Sequence, residues 1–310
     1  MTTASMRSQA GPFLGLDHGF AITTQDAALA EALTCLYAPL RVSDTDRSGW
    51  VEYAVEPPTP GELWQLRVDG RVTVRSSTPG GVVRMLLRSV ADAIRRGLSP
   101  VDPPGPRGAL RFDGAAVDID GTGVLLLAGR GVDLAAVLIR LLRGSGEAVG
   151  YLGETAVHLD TDDLALRGAA TPLSLHQQHW DAEVALRELV PDGVVPYLDL
   201  AWPLPASALG RVADTARLGL VVPLETGDAS PARGREALRP TEAVTCLLDR
   251  LPTGERTDLT VERLRQVATV VEQIDVVRLV AGPDPAAVAE AVRTTVRVRC
   301  RPPVATSASG

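Results

Sequence analysis

The spacing of apolar positions changes several times along the chain, and each change marks an element. A fully apolar run, Val124 to Ala128, is bounded by Gly123 and Gly129. It is too short for a helix and apolar throughout, as a buried strand is. Gly129-Arg130-Gly131 makes a sharp turn, Asp133 opens a helix from Leu134 to Leu142, and Gly144 stands just past its end. Aspartate is a favoured N-cap, and glycine is favoured after a last turn. A second strand, Ala148 to Leu152, follows. This strand, glycine turn, helix and strand form the centre of the chain.

Before that centre, Met1 to Pro12 is small and polar and is expected to be mobile. Asp26 to Leu36 has the pattern of a short amphipathic helix, and Arg41 to Ser43 and Trp50 to Val55 read as strands. Leu63 to Val68 and Arg71 to Arg75 flank Asp69-Gly70, the signature of a type I′ hairpin. Alternation puts Leu63, Gln65 and Arg67 on one face and Trp64, Leu66 and Val68 on the other. Both faces carry apolar groups, which suits a strand offered to a partner and equally a sheet covered within the fold. Thr78-Pro79 starts a helix that runs to about Arg96, with Val82, Val83, Leu86, Val90 and Ile94 as its buried stripe. The Pro/Gly-rich stretch Val101 to Arg107 divides an N-terminal region, 1–104, from a core, 105–310.

After the centre, helices are expected over Trp180 to Leu189, Ala206 to Arg217, Pro240 to Leu251, Thr260 to Ile274 and Asp284 to Val292. Strands are expected over Val194 to Leu200, Leu218 to Leu224 and Val276 to Val280, with a polar loop from Glu225 to Arg235. Strands alternating with helices predict an α/β (α+β mixed) fold: a P-loop-like mixed sheet core flanked by helices, with an N-terminal α+β region.

Composition narrows the function. The chain has 310 residues, 45% hydrophobic but only 4% aromatic, so its core must come mainly from Leu, Val and Ala. Net charge is −7, and all 31 basic residues are arginine. An acidic chain without a basic run is a poor nucleic-acid binder. Absence of Lys and Asn points to a high-G+C, bacterial genome. Cys35, Cys246 and Cys300 are odd in number and far apart, so neither a zinc site nor a disulfide framework is indicated, and buried reduced thiols are expected. There is no signal-peptide pattern and no apolar run of the ~20 residues a membrane span needs, which predicts a soluble, cytoplasmic protein. His176 and His179 are too few for a metal site, and Asp160, Asp162 and Asp163 lack the glycine and closing glutamate of a calcium loop. No metal or cofactor is expected.

The glycine turn sits where a phosphate-binding loop would. Such a loop needs free backbone N–H groups, a lysine on the phosphates and a Ser or Thr on Mg²⁺. With Gly129 as the first glycine, the lysine position falls on Ala135, and the hydroxyl positions fall on Ala136 and Val137. No realignment recovers a lysine, because the chain has none. Asp133 adds a carboxylate where phosphate should meet the helix start. A plain βα turn gives the same pattern.

The segments LRFDGAAV (Leu110 to Val117), VLLLAGRGVDLAAV, YLGETAVHL (Tyr151 to Leu159) and TPLSLH (Thr171 to His176) resemble, in order and spacing, the HPr kinase-like group. These are small P-loop kinases with a phosphoenolpyruvate-carboxykinase-like core. The resemblance spans roughly residues 60 to 295 and is densest from Leu110 to His176. It places the family histidine at Asp113 and the family acid pair at Glu154 and Thr155, so the functional positions have changed. It implies a degenerate nucleotide site made of Gly129, Arg130, Gly131, Asp133, Ala135, Ala136, Asp113 and Glu154. It also implies a non-catalytic pseudokinase acting as scaffold in peptide natural-product (RiPP) biosynthesis, recognising a precursor's leader peptide or a partner modifying enzyme. The hairpin, through Leu63, Gln65, Arg67, Arg71, Val72, Val74 and Arg75, is the candidate peptide-binding surface. Two alternatives stand beside it. One is an ATP-dependent Ser/Thr kinase using Arg130 for the missing lysine. The other is a small-anion sensor at Gly129 to Gly131.

Overall fold

The computed structural model describes residues 7–16, 18–43, 49–59, 62–96, 109–144, 148–198, 200–227, 234–252 and 260–300. It is a mixed α/β fold that divides into two compact units. The first comprises Met1–Arg107, Gly153–Ala156 and Gly168–Val212; the second comprises Gly108–Leu152, Val157–Arg167 and Ala213–Gly310.

The first unit is built on a five-stranded sheet whose spatial order is its chain order. Ser8–Gly15 (β1) and His18–Thr24 (β2) are antiparallel, and a helix, Ala27–Leu36 (α1), leads to Val51–Glu56 (β3), which runs parallel to β2. Trp64–Val68 (β4) and Arg71–Ser76 (β5) complete an antiparallel meander, followed by the helix Pro79–Arg96 (α2). Asp69 and Gly70 have φ of 49° and 74°, as a type I′ turn requires. The predicted stripe of α2 is buried, and Thr78 caps the helix by accepting the Gly81 N–H. The few aromatic residues are concentrated here. Phe13, Phe20, Tyr37 and Tyr53 form one cluster, with ring centroids 5.2 to 6.2 Å apart.

The segment 168–212 adds a two-stranded ribbon, Leu173–His176 (β12) with Ala201–Leu204 (β13), a single helical turn, Ala206–Leu209 (α4), and the short strand Arg211–Val212 (β14). Between the ribbon strands the chain forms 3-10 turns. The second of these packs on α1, where Tyr197 donates to the carboxylate of the α1 N-cap, Asp26, at 2.5 Å.

The second unit contains Ala109–Phe112 (β6), Ala115–Ile119 (β7), Thr122–Ala128 (β8), the helix Leu134–Arg143 (α3), most of Val149–Glu154 (β9), Val157–Asp160 (β10) and most of Ala165–Gly168 (β11). The chain returns through Ala216–Thr226 (β15), Arg235–Ala237 (β16), Pro240–Leu248 (α5), Val261–Gln273 (α6), Asp275–Ala281 (β17) and Pro285–Arg299 (α7). The strands run β9-β7-β8-β15-β11-β10-β6, with β17 on β15 and β16 on β17. β8, β15 and β17 are mutually parallel and buried, and their apolar runs match that role. The core between the sheet and helices α5 and α6 is mostly Leu, Val and Ala.

Several expectations fail for identifiable reasons. Ser8 to Pro12 belongs to β1, and the other residues of that stretch to Met6 lie outside the described residues. Arg41 makes an isolated bridge with Phe13 instead of starting a strand. Val194 to Leu200 is not a strand: Asp192–Tyr197 is a 3-10 turn, and Pro196 has no N–H for a ladder. Trp180 to Leu189 is 3-10 with a kink at Glu183. The helix from Ala206 stops at Leu209 because Gly210 follows, and β15 already begins at Ala216. Gly144 is extended (φ −69°, ψ 149°) rather than left-handed. Cys35 is exposed, and only Cys246 and Cys300 are half-buried. The Val101 to Arg107 boundary lies outside the described residues.

Candidate functional site

The glycine turn follows β8 directly. Gly129 donates its N–H to Leu224 O at 2.6 Å, and a Cβ on residue 129 would lie 2.7 Å from that oxygen. Glycine is therefore required for the turn to approach β15. Gly131 has φ of 81°, the left-handed region glycine favours. Val132 N–H bonds back to Gly129 O at 3.3 Å, and the Thr226 hydroxyl donates to Arg130 O at 3.2 Å. Asp133 then caps α3: its carboxylate accepts the Ala136 N–H at 3.1 Å, and its carbonyl accepts Val137 N–H. The amides of Gly129, Val132 and Ala136 thus all have partners inside the protein. A phosphate-binding turn keeps such donors open for the anion. Ala135, Ala136 and Val137, at the lysine and hydroxyl positions, are buried in the core. Arg130 is exposed, and no partner for its guanidinium is seen among the described residues.

Asp113 lies between β6 and β7, in the same unit. Its N–H donates to Arg250 O at 2.9 Å, and Arg250 Nη1 donates to Ala128 O at 2.6 Å. Arg250, just past α5, therefore ties the Asp113 turn to the end of β8. Nothing in its sequence surroundings marks it, because its partners, the Ala128 carbonyl and the Asp113 N–H, are distant in the chain. Arg278 on β17 pairs with Glu225 at 3.2 Å and Glu236 at 3.3 Å. These groups cluster at the C-terminal ends of β8, β15 and β17, the position where open α/β sheets bind ligands. There the side chains of Arg250 and Arg278 are bonded within the protein, while Arg130 is exposed. Glu154 ends β9 and falls in the other unit, followed by Thr155 with φ of 81°.

The hairpin is the second candidate. β5 is the outermost strand of its sheet, and its residues alternate between exposed and half-buried. Leu66 is fully buried, whereas Leu63 precedes β4 and is exposed. Arg67 is held within the unit: it donates to Glu56 at 2.6 Å, to Gln65 at 3.1 Å and to Gly70 O at 3.0 Å. Arg71 and Arg75 are exposed, with no side-chain partner seen among the described residues. A bulge interrupts the pairing: Leu66 faces Val74, but Arg67 faces Val72, leaving Thr73 extra. Sequence alternation cannot show such a bulge, which reverses the faces beyond it.

The remaining candidates separate. His176 ends β12 and His179 lies in a 3-10 turn, so they share no helix face. Asp160 and Asp163 accept N–H groups two residues on, which makes a self-bonded turn. No group of potential metal ligands is found among the described residues. Burial raises the thiol pKa of Cys246 and Cys300. No helix among the described residues is long and apolar enough to cross a membrane.

No protein-family model matches this sequence, and no curated protein matches it. Among solved structures, the chain is similar to the Hpr(Ser) kinase/phosphatase from Coxiella burnetii. Identity is 11%, over 61% of this chain and 97% of that one, with a TM-score of 0.33. A superposition this loose assigns no residue of the chain a role.

Proposed function

We propose that this protein is a non-catalytic binding or scaffold protein that recognises an extended peptide, and that the edge of β5 is where the peptide docks. In the setting the sequence resemblance implies, the peptide is a precursor's leader in peptide natural-product biosynthesis, presented to a modifying enzyme. The observation that carries the non-catalytic part is the composition and bonding of the glycine turn and the helix start after it. There is no lysine, the Gly129 and Val132 amides are bonded internally, and the Ala136 amide at the helix start is taken by the Asp133 cap. The observation that favours β5 is an outermost strand bearing two exposed arginines on an acidic protein. Main-chain bonds to an added strand supply affinity, and the arginines select acidic side chains.

Three variants test it: Val72→Pro, Val74→Pro and Arg71→Glu. Proline removes a ladder donor. Whichever of residues 72 and 74 presents its N–H outward should lose peptide binding when replaced, with the cooperative melt retained, and Arg71→Glu should weaken binding of an acidic peptide. Undiminished binding in all three moves the site away from β5.

A further inference from the structure

We infer that a strand added at β5 is read by two acidic side chains three residues apart, a spacing set by the bulge at Thr73. The inference rests on β5 being the docking edge. In the existing pairing, Gln65 faces Arg75 and Val68 faces Arg71. Four steps along β5 therefore match three along its regular neighbour, because Thr73 has no counterpart. A regular strand on the open side meets the same extra residue. If its residue j lies opposite Arg75, residue j+3 lies opposite Arg71.

The faces agree with that spacing. Arg75 shares a face with Gln65 and Arg71 with Val68, and those two positions of β4 point to opposite sides of the sheet. Residues three apart on the added strand also point to opposite sides, so both can reach their arginine. Residues four apart share one side, so at most one is served. Arg67 adds nothing to this selection, since Glu56, Gln65 and Gly70 already hold it.

Other occupants fit less well. A second copy of β5 paired antiparallel about Thr73 sets Arg71 against Arg75, and like charges directly opposite are destabilising. The opposite edge of the sheet, β1, is partly covered: Phe13 bridges Arg41, and Val42 N–H donates to Pro12 O at 3.2 Å. The occupant that fits is a separate extended segment with the pattern acid-x-x-acid.

The test uses the full chain and three labelled synthetic octapeptides, read by fluorescence anisotropy at low salt. The first is Thr-Val-Glu-Val-Thr-Glu-Val-Thr, with glutamates three apart. The second, Thr-Val-Glu-Val-Thr-Val-Glu-Thr, has the same composition with glutamates four apart. The third replaces both glutamates of the first by glutamine. An exposed ion pair contributes a factor of about two to five in affinity. The first peptide should therefore bind about two- to fivefold tighter than the second, and the third should be weakest. Arg75→Glu should remove the preference between the first two. Equal affinity for the first two peptides, with binding still lost in the proline variant, overturns the spacing while leaving β5 as the site. Binding that ignores both the spacing and the proline overturns the site as well.

Discussion

Asp133 decides the chemistry of the glycine turn at the level of a single side chain. Its carboxylate takes the Ala136 N–H, the kind of donor a phosphate would use at a helix start. Asp133→Ala should lower stability by about 1 kcal/mol, the usual cost of a lost N-cap, measured by denaturant unfolding. An unchanged midpoint would show that the cap contributes nothing. This role is readable from the sequence, because an aspartate before an apolar periodic run is a local signal. Arg250 is not readable in that way, since its bonds to Ala128 and from Asp113 depend on tertiary placement. The tyrosines of the first unit carry a second residue-scale consequence. Burial holds the Tyr53 phenol up to about 12, and it also raises Tyr37 and Tyr197, the latter helped by its bond to Asp26. Folded chains keep these protons at a pH where unfolded chains release them. Stability from these groups is therefore complete below about pH 10 and falls as pH rises above it. An alkaline titration followed by tyrosinate absorbance should show them ionising only together with loss of circular dichroism. Ionisation near pH 10 in a still-folded chain would contradict the burial.

Helices with strong stripes and caps, such as α2, are legible because period, cap and stop agree. The elements that escape notice have weaker local signals. β1 contains Gly11 and Pro12 and a bulge, and the 3-10 turns of 177–197 carry a helical pattern too irregular to continue. The end of α3 shows how one element is completed by another. Arg293 on α7 is buried and donates to Arg140 O at 2.9 Å and Leu141 O at 2.6 Å, so its charge sits at the negative end of α3. Gly144 is glycine because a Cβ there would overlap that guanidinium. Arg293→Ala should destabilise by roughly 3 kcal/mol, as for a buried charged group bonded to carbonyls. Gly144→Ala should also destabilise on its own, yet cost little once Arg293 is already alanine. A double-mutant cycle by urea unfolding measures this, and strict additivity would refute the steric link.

At the scale of the molecule, composition and alternation indicate a mixed α/β chain, and the structure is one. The division of material between units is not legible. The first unit gathers segments from three parts of the chain and holds most of the aromatic cluster, whereas the second is packed mainly with aliphatic residues. Local patterns carry no record of such long-range gathering. The central claim is that the second unit has a strand–turn–helix frame in which the Gly129, Val132 and Ala136 amides are bonded within the protein and no lysine is available to a phosphate. Isothermal titration calorimetry of the full chain with ATP, with and without Mg²⁺, tests it most directly. No saturable heat at millimolar ATP in either condition is the predicted result, and a micromolar dissociation constant strengthened by Mg²⁺ would contradict it.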